Sequence, residues 1–332
     1  KMVSREEEAD NDLDEILLRD FTSEFRKGYM TAKGVCMSDR YALFADMFEN
    51  FEVFDDDVWV CSFPKSGTTW TQEMVWCIRH DLDYEGAKVN LADRFAAKRN
   101  PKLQFRDLIM DSVSYAKQLK RPRMIKTHLP FHLLPRQLRN GETKAKIIYV
   151  CRNPKDACVS YFYHCRLLEG YKGNFVNFCR LFLAGKVIFA PIWEHILGYW
   201  TKRADANMLF LKYEDMKSDL SMVIKRTSEF LNKPISNKEV EILRDHLSFE
   251  SMKSNPAVNY EESIAFNTKI NFTTEHGSFM RKGKTDQWKE EMSQDMIEEF
   301  DRITEEKLAP ACFVARVYFR SSVQKKRDCL RI

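Results

Sequence analysis

Residues 58–76 read VWVCSFPKSGTTWTQEMVW, and their character changes twice within this short stretch. The apolar run at 58–63 is typical of a buried strand, whereas the apolar residues that resume after Trp70 recur at helical spacing. A proline, a lysine, a serine, a glycine and two threonines separate the two segments. A helix that begins directly after such a loop presents free N–H groups and a partial positive charge, so the stretch predicts an anion site.

This loop has the residue types of a phosphate site but not the order of an NTPase loop. Gly67 allows the backbone to approach a ligand closely, and Lys65 adds an ammonium beside three hydroxyl side chains. In the Walker A pattern GxxxxGK[ST] the lysine follows the second glycine, whereas here it precedes the glycine of the loop. The alternative interpretation is a capped helix start with a surface lysine, and with Trp70 in the core.

Strands and helices alternate along the chain. Further strands are predicted at 123–127, 146–151 and 208–212, and helices at 69–79, 154–166, 217–231, 237–246 and 293–305. Asn153 is expected to cap the helix whose first residue is Pro154. The alternation predicts an α/β fold, a single domain with a central parallel sheet flanked by helices, whose ligands bind at the carboxyl ends of the strands.

The chain shows no internal repeat and no Gly/Ser/Pro-rich linker. We expect the main domain to span residues 41–320. A partly helical N-terminal extension at 1–40 would precede it, in which residues 5–19 form a charged amphipathic helix or a frayed tail. A basic C-terminal tail at 321–332 would follow it.

The composition is that of an ordinary globular protein. Of the 332 residues, 44% are hydrophobic and 31% are charged, which argues against disorder. The net charge of +4 is too small for a non-specific nucleic-acid binder, and no apolar stretch has the length of a membrane helix. Nine scattered cysteines without metal-finger spacing indicate a reduced, cytoplasmic protein. We expect neither a nucleic-acid nor a membrane partner, and no metal.

Two further groups of residues have the chemistry of an anion site. Lys126 and His128 are two residues apart at a strand end, so they project to one side, and the lysine favours the neutral imidazole. Arg152 follows the strand at 146–151, and arginine binds phosphate with two hydrogen bonds. Three cations surround Gly283 at 279–284. The alternatives are a structural histidine, an arginine paired with a carboxylate, and a solvated basic face.

Four separated motifs occur together. They are PKSGTTW at 64–70, KTHLP at 126–130, the strand with RNPKDACVS at 146–160, and FMRKG at 279–283. In this combination the chain resembles, over about residues 40–305, the cytosolic sulfotransferases that use 3′-phosphoadenosine 5′-phosphosulfate (PAPS). Its long N-terminal segment is more similar to invertebrate members. The resemblance implies the P-loop nucleotide-kinase-like sulfotransferase fold, PAPS as co-substrate, 3′-phosphoadenosine 5′-phosphate (PAP) as product, and no metal.

The resemblance also implies a nucleotide site spread over all four motifs. Its residues would be Lys65, Ser66, Gly67, Thr68, Thr69, Trp70, Arg152, Ser160, Tyr213, Phe249, Arg281, Lys282 and Gly283. The loop at 65–69 would hold the 5′-phosphosulfate. Arg152 and Arg281, with their neighbours, would hold the 3′-phosphate, and the aromatic residues would contact adenine. Leu247 stands where the family often has threonine, which removes one expected polar contact.

Four residues would carry the chemistry that the resemblance implies. His128 would take the proton of the acceptor, as a general base. Lys65 would stabilise charge on the leaving phosphate oxygen, and Lys126 would stabilise the sulfuryl oxygens during transfer. Ser160 would bond Lys65 before the acceptor binds and so restrain hydrolysis.

The acceptor is expected to be a small, largely apolar hydroxyl or amine compound, such as a phenol, an aromatic amine, a steroid or another alcohol. The candidate pocket residues are Phe95, Phe105, Tyr163 and His164. The dimer motif of the family is degenerate at 289–298, KEEMSQDMIE, so we expect a monomer or a weak homodimer.

Three other functions remain open at this point. A sulfonation-dependent alcohol dehydratase of the retinol dehydratase type would use the same site but release an elimination product. A nucleotide kinase would need ATP and Mg²⁺. A binding protein that retains the nucleotide site without catalysis would not need His128.

Overall fold

The computed structural model describes residues 5–22, 27–95, 112–273 and 275–308. The strands are β1 Tyr29–Ala32, β2 Val35–Ser38, β3 Val58–Cys61, β4 Met124–Thr127, β5 Lys146–Cys151 and β6 Met208–Lys212. The helices are α1 Arg5–Phe21, α2 Ala45–Glu49, α3 Thr68–Arg79, α4 Leu91–Arg94, α5 Ser112–Gln118, α6 Arg136–Arg139, α7 Pro154–Leu168, α8 Phe175–Leu183, α9 Ile192–Trp200, α10 Tyr213–Ser218, α11 Leu220–Phe230, α12 Asn237–His246, α13 Phe249–Ser254, α14 Glu261–Lys269, α15 Trp288–Glu291 and α16 Gln294–Leu308. Short 3₁₀ helices lie at Asp39–Leu43, Gly86–Lys88 and Phe131–Leu133.

A parallel sheet with the strand order β4-β3-β5-β6 forms the centre of the molecule. The predicted strands and the α/β class are therefore confirmed. Val58 of β3 pairs with Met124 on one side and with Lys146 on the other, so the carboxyl ends of the strands reach the same edge of the sheet. The loops that follow Cys61, Thr127, Cys151 and Lys212 gather at that edge.

Alternate residues of the strands enter two separate hydrophobic clusters. Val58 and Val60 of β3 face a cluster that includes residues of α3, α11 and α12. Trp59 and Cys61 face a larger cluster with residues of α7, α8, α9 and α16. Both faces are covered, which explains why β3 is apolar throughout and does not alternate with polar residues.

The N-terminal segment belongs to the larger cluster. Ile16 and Phe21 of α1 are buried in it, together with Val35 and Met37 of β2. The antiparallel hairpin of β1 and β2 has no counterpart among the sequence predictions. The domain boundary at residue 40 stays a prediction, and the tail at 321–332 lies outside the described residues.

Local sequence signals account for several helix starts. Asn153 caps α7 through a hydrogen bond from the Lys155 N–H to its side chain, at 2.9 Å, as predicted. The region predicted as one helix at 217–231 consists of α10 and α11, because Asp219 ends the first helix and caps the second. Seven described cysteines are free and buried. In the described part of the chain, no helix combines the length and the apolar run that a membrane crossing requires.

Candidate active site

A cavity of about 1030 Å³ opens at the carboxyl edge of the sheet. Its wall contains nearly all of the residues predicted to bind the nucleotide: Lys65, Gly67, Thr68, Thr69, Trp70, Arg152, Ser160, Tyr213, Phe249, Arg281, Lys282 and Gly283. Lys126 and His128 line the same cavity. The fold therefore brings together residues that lie more than two hundred positions apart in the sequence.

The loop between β3 and α3 is shaped by its glycine. Gly67 has φ +107°, and a Cβ at this position would lie 3.0 Å from the Tyr213 ring. Ser66 is fully buried under the loop and does not line the cavity. Its hydroxyl has no hydrogen-bond partner among the described residues. A buried, unpaired hydroxyl beside a helix N-terminus is a donor that suits a phosphate oxygen.

Lys65 is held by an aromatic ring. Its Nζ lies 3.6 Å from the centroid of the Phe279 ring, a cation–π contact. Burial of the ammonium, with Arg152 nearby, lowers the pKa of Lys65 to about 7. Ser160 lines the same cavity, but no hydrogen bond joins Ser160 to Lys65 among the described contacts. The bond expected between these two residues stays a prediction, and the contact that the ammonium makes here is with the Phe279 ring.

The tautomer of His128 follows from its hydrogen bond. Its Nδ1 lies 2.8 Å from the carbonyl oxygen of Ser62, and a carbonyl only accepts, so Nδ1 carries the proton. Nε2 therefore has a free lone pair. Burial and, second, the Lys126 charge lower the pKa of His128 well below its usual range. The imidazole is neutral at pH 7 and can accept a proton at Nε2.

Arg152 is paired with backbone carbonyls. Its guanidinium donates to the carbonyl oxygens of Lys65 and Lys284, each at 3.1 Å, and lies 4.2 Å from the centroid of the Tyr213 ring. Its Nε is buried and has no partner in the described part of the chain. No carboxylate is hydrogen-bonded to the guanidinium in these contacts, although Asp156 and Glu214 lie near enough to interact with its charge. The unpaired Nε is the donor that remains for a phosphate oxygen.

The second cationic group, Arg281 and Lys282, is paired with acidic residues of the following segment. Arg281 donates to Glu291 at 3.0 Å and also to Gln287, and Lys282 donates to Glu290 at 2.8 Å. The N–H groups of Asp286 and Gln287 donate to the carboxylate of Asp156 in α7. These contacts fix the basic segment at the edge of the cavity.

Tyr163 belongs to this cationic group and not to an acceptor pocket. The guanidinium of Arg281 lies 4.1 Å from the centroid of its ring, and its hydroxyl donates to Glu291 at 2.8 Å. It does not line the cavity. The sequence prediction for Tyr163 is corrected accordingly.

An aromatic group lies between the two cationic regions. Trp70 Nε1 donates to the carbonyl oxygen of Leu247 at 2.9 Å, and its ring meets Tyr213 edge-on at 5.7 Å. At the position where the family often has a threonine, Leu247 therefore bonds the Trp70 indole through its backbone carbonyl. Gly283 has φ +59°, and a Cβ there would lie 2.2 Å from the Phe249 ring. Only glycine lets the basic segment pack so closely on this ring.

The acceptor-side predictions are partly wrong. Phe95 is fully buried in the cluster behind β3 and does not line the cavity, because its aromatic side chain completes the core there. Phe105 lies outside the described residues. His164 does line the cavity, and its Nε2 lies 3.1 Å from Glu169 Oε1.

Sequence reasoning missed a further group of residues that line the cavity. They come from the N-terminal segment and from the loop before α9: Met37, Arg40, Tyr41, Phe44, Phe48, Ile188 and Phe189. The ring of Phe189 lies 5.5 Å from that of His128. The sequence signal that could have predicted the hairpin is Lys33–Gly34. These two residues form its turn, and both have positive φ.

One group of possible metal ligands occurs among the described residues, although the sequence indicated none. Ligand atoms of Glu73, Cys77 and His246 lie within 4.8 Å of one another. Glu73 is already paired with Arg94 at 2.6 Å and with His246 at 2.8 Å. The group does not line the cavity, so it takes no direct part in the site.

The comparisons with known proteins agree with this geometry. The family model of the sulfotransferase domain matches residues 55–311. The chain is 41% identical over 328 residues to a luciferin sulfotransferase of Photinus pyralis, covering 95% of this chain and 88% of the relative. It is 36% identical to an amine sulfotransferase of Oryctolagus cuniculus over 265 residues, which cover 79% of this chain and 84% of the relative.

Solved structures give the same result. Retinol dehydratase, solved with PAP and either retinol or androsterone, matches with a TM-score of 0.79 and 30% identity. The match covers 90% of this chain and 94% of that one. The chain belongs to the sulfotransferase family and is an enzyme of that class. This assignment displaces the nucleotide kinase and the non-catalytic alternatives.

Proposed function

We propose that the protein transfers the sulfuryl group of PAPS to a hydroxyl or amine of a small, largely apolar acceptor, with His128 as general base. The observation that carries the proposal is the fixed tautomer of His128. Its Nδ1–H is bound to the Ser62 carbonyl, so the Nε2 lone pair is available in a cavity that also contains Lys65 and Lys126. A base placed in this way typically contributes about 10²–10⁴-fold to the rate.

The donor site is proposed from two cationic regions separated by aromatic rings. When bound, PAPS supplies a sulfuryl group attached to a phosphate that can leave. Lys65 and the N–H groups at the start of α3 would hold the 5′ end. Arg152, Arg281 and Lys282 would hold the 3′-phosphate, because phosphate pairs best with guanidinium groups in bidentate geometry.

The cations would also act on the reaction itself. Lys65 would neutralise charge that develops on the leaving oxygen, and Lys126 would do so at the sulfuryl oxygens. Because the pKa of Lys65 is about 7, a large fraction of this side chain is neutral near pH 7. A negative charge nearby raises the pKa and so favours the protonated form. Ser160 lines the same cavity as Lys65, and it would bond the ammonium before the acceptor binds.

The acceptor class is proposed from the lining near His128. The Phe189 ring lies 5.5 Å from that of His128, and Tyr41, Phe44 and Phe48 supply further aromatic faces to the same cavity. Such a lining favours a phenol, an aromatic amine or a ring-bearing alcohol over a sugar or a peptide. The name of the amine sulfotransferase among the relatives supports an amine acceptor, and that of the luciferin sulfotransferase supports a small-molecule acceptor.

A second candidate is alcohol dehydration through sulfonation. It is favoured by the likeness to retinol dehydratase at 30% identity over nine-tenths of this chain. The same donor site and the same base would serve both reactions. The two differ in the product, which is a stable sulfate ester in one and an alkene in the other. A cytoplasmic location and a monomer or weak homodimer are part of the proposal.

The test begins with calorimetric titration of PAP, using AMP and ATP as controls. We expect PAP to bind at least 10-fold more tightly than AMP, because hydrogen bonds to charged groups contribute roughly 1.5–3 kcal/mol. A panel of phenols, amines, steroids and retinoid alcohols is then incubated with labelled PAPS and analysed by mass spectrometry. Equal affinity for PAP and AMP would overturn the proposed 3′-phosphate site.

A further inference from the structure

A buried hydrogen-bonded chain lies behind His128 and outside the cavity. His195, in α9, is 1% exposed, and its Nε2 lies 3.0 Å from the backbone carbonyl oxygen of His128. Its Nδ1 lies 2.9 Å from the hydroxyl of Tyr149, which is fully buried in β5. Neither residue lines the cavity, so neither can touch a ligand there.

The positions of the protons follow from the acceptors. The His128 carbonyl can only accept, so Nε2 of His195 carries a hydrogen. Burial lowers the pKa of His195 to about 4, so the ring is neutral and its Nδ1 accepts from the Tyr149 hydroxyl. Two other titratable groups act on this region: the charge of His132 lowers the pKa of His195, and Cys61 raises the pKa of Tyr199.

A second anchor holds the next peptide. The hydroxyl of Tyr199, one turn after His195 in α9, donates to the carbonyl oxygen of Leu129 at 2.7 Å. Two consecutive carbonyls, of His128 and Leu129, are thus bound by one helix. The side chain of His128 is bound from the other direction by Ser62 of the β3 end. The backbone and the ring of His128 are therefore fixed independently.

We propose that His195 is a positioning residue for His128, and that Tyr149 fixes the His195 tautomer that this role requires. The inference rests on the proposed function, because it gives His128 the role of base. The loop after β4 has no regular structure until Phe131, and its own hydrogen bond beside His128 joins the Leu129 N–H to Thr127 Oγ1 at 3.0 Å. The carbonyl oxygen of His128 is therefore held by His195 and not by the loop itself. A displacement of about 1 Å at a catalytic group can cost on the order of 10²-fold in rate.

The test compares two amides at position 195. In His195→Asn the amide lies near the position of Nδ1, so it can meet Tyr149 but does not reach the His128 carbonyl. In His195→Gln the amide lies near Nε2 and can donate to that carbonyl. The matched control is Thr304→Val, which removes the 2.9 Å hydrogen bond from Trp193 in the same helix without touching His128. Thermal stability, PAP affinity, kcat and KM are measured for all variants.

We expect His195→Asn to lower kcat by about 10- to 100-fold with unchanged PAP affinity, and His195→Gln to restore most of this loss. Thr304→Val lowers stability alone. Equal kcat loss in the asparagine and glutamine variants, or a loss that follows stability in all three, would overturn the proposal. His128→Ala separates the two hypotheses: if it turns over normally, the base assignment fails. If it is inactive while His195→Asn is normal, only the positioning role fails.

Discussion

The ammonium nitrogen of Lys65 lies 3.6 Å from the centroid of the Phe279 ring, so the loop lysine is held by an aromatic face and not by a hydroxyl or a carboxylate. Its pKa is lowered to about 7 by burial and by Arg152. A bound anion would favour the charged form and raise this pKa. The protonation of Lys65 is therefore linked to nucleotide binding.

We predict that PAP binding at pH 8 is accompanied by uptake of about one proton. Free Lys65 is mostly neutral at that pH, whereas the complex holds the ammonium form, so affinity falls as the pH rises through 7. Calorimetry in two buffers of different ionisation enthalpy measures the uptake. Lys65→Arg remains charged and should show none. The same uptake in this variant would assign the proton to another group.

Replacing the base should separate binding from turnover. We expect His128→Ala to lower kcat by about 10²–10⁴-fold with little change in PAP affinity. His132→Ala is the control, because that histidine lies close in sequence but bonds the Lys33 carbonyl at 3.2 Å and does not line the cavity. Steady-state kinetics and PAP titration give both quantities. Loss of activity in both variants to the same extent would contradict the assignment.

Selectivity for the 3′-phosphate should depend on Arg281. Arg281→Met is expected to weaken PAP binding by about 10- to 100-fold, since hydrogen bonds to charged groups contribute roughly 1.5–3 kcal/mol. AMP lacks the 3′-phosphate, so its affinity should not change. Lys284→Met removes the same charge from an exposed side chain of the same segment and serves as control. If both variants weaken PAP equally, net charge rather than a specific contact is responsible.

Gly283 and Gly141 separate the effect of backbone strain from the effect of close packing against a neighbouring ring. Both have positive φ, +59° and +69°, but a Cβ at Gly283 would lie 2.2 Å from Phe249, whereas nothing lies within 4 Å at Gly141. Each alanine variant should lose about 1–3 kcal/mol of stability from backbone strain. We expect only Gly283→Ala to weaken PAP binding as well. Denaturant unfolding and PAP titration provide the measurements, and equal PAP affinity in the two variants would contradict the close packing of Gly283 on the adenine side.

Local signals predicted most of the central fold. Each strand of the sheet is a short apolar run bounded by polar turns. Helix α12 spans the predicted residues, and a capping box of Ser236 and Glu239 fixes its start. The strand order was not predicted, since it depends on contacts between distant segments. The hairpin of β1 and β2 was missed because its strands have four residues each, too few for a clear pattern.

The predicted nucleotide residues other than Ser66 line one cavity, because β3, β5 and β6 end at the same edge of the sheet and the segment after Phe279 is tied to that edge through Arg152 and Asp156. The acceptor side was predicted poorly, since aromatic residues that line a pocket cannot be told by residue type from aromatic residues that fill the core. Helix geometry explains one error in α7. Ser160 and His164 are four residues apart, share a helix face and both line the cavity, whereas Tyr163 points toward Glu291.

The hairpin has one consequence for how such enzymes diversify. Cys36 of β2 exchanges two backbone hydrogen bonds with the 189–190 segment, so the N-terminal segment is joined directly to the loop that carries Phe189. These two segments line the part of the cavity where we propose that the acceptor binds, and neither contains a residue proposed to bind the nucleotide. Exchanging 27–50 between relatives would therefore alter the choice of acceptor without altering the donor. Enzymes that keep the same donor site could therefore differ in their acceptors through changes in this segment alone.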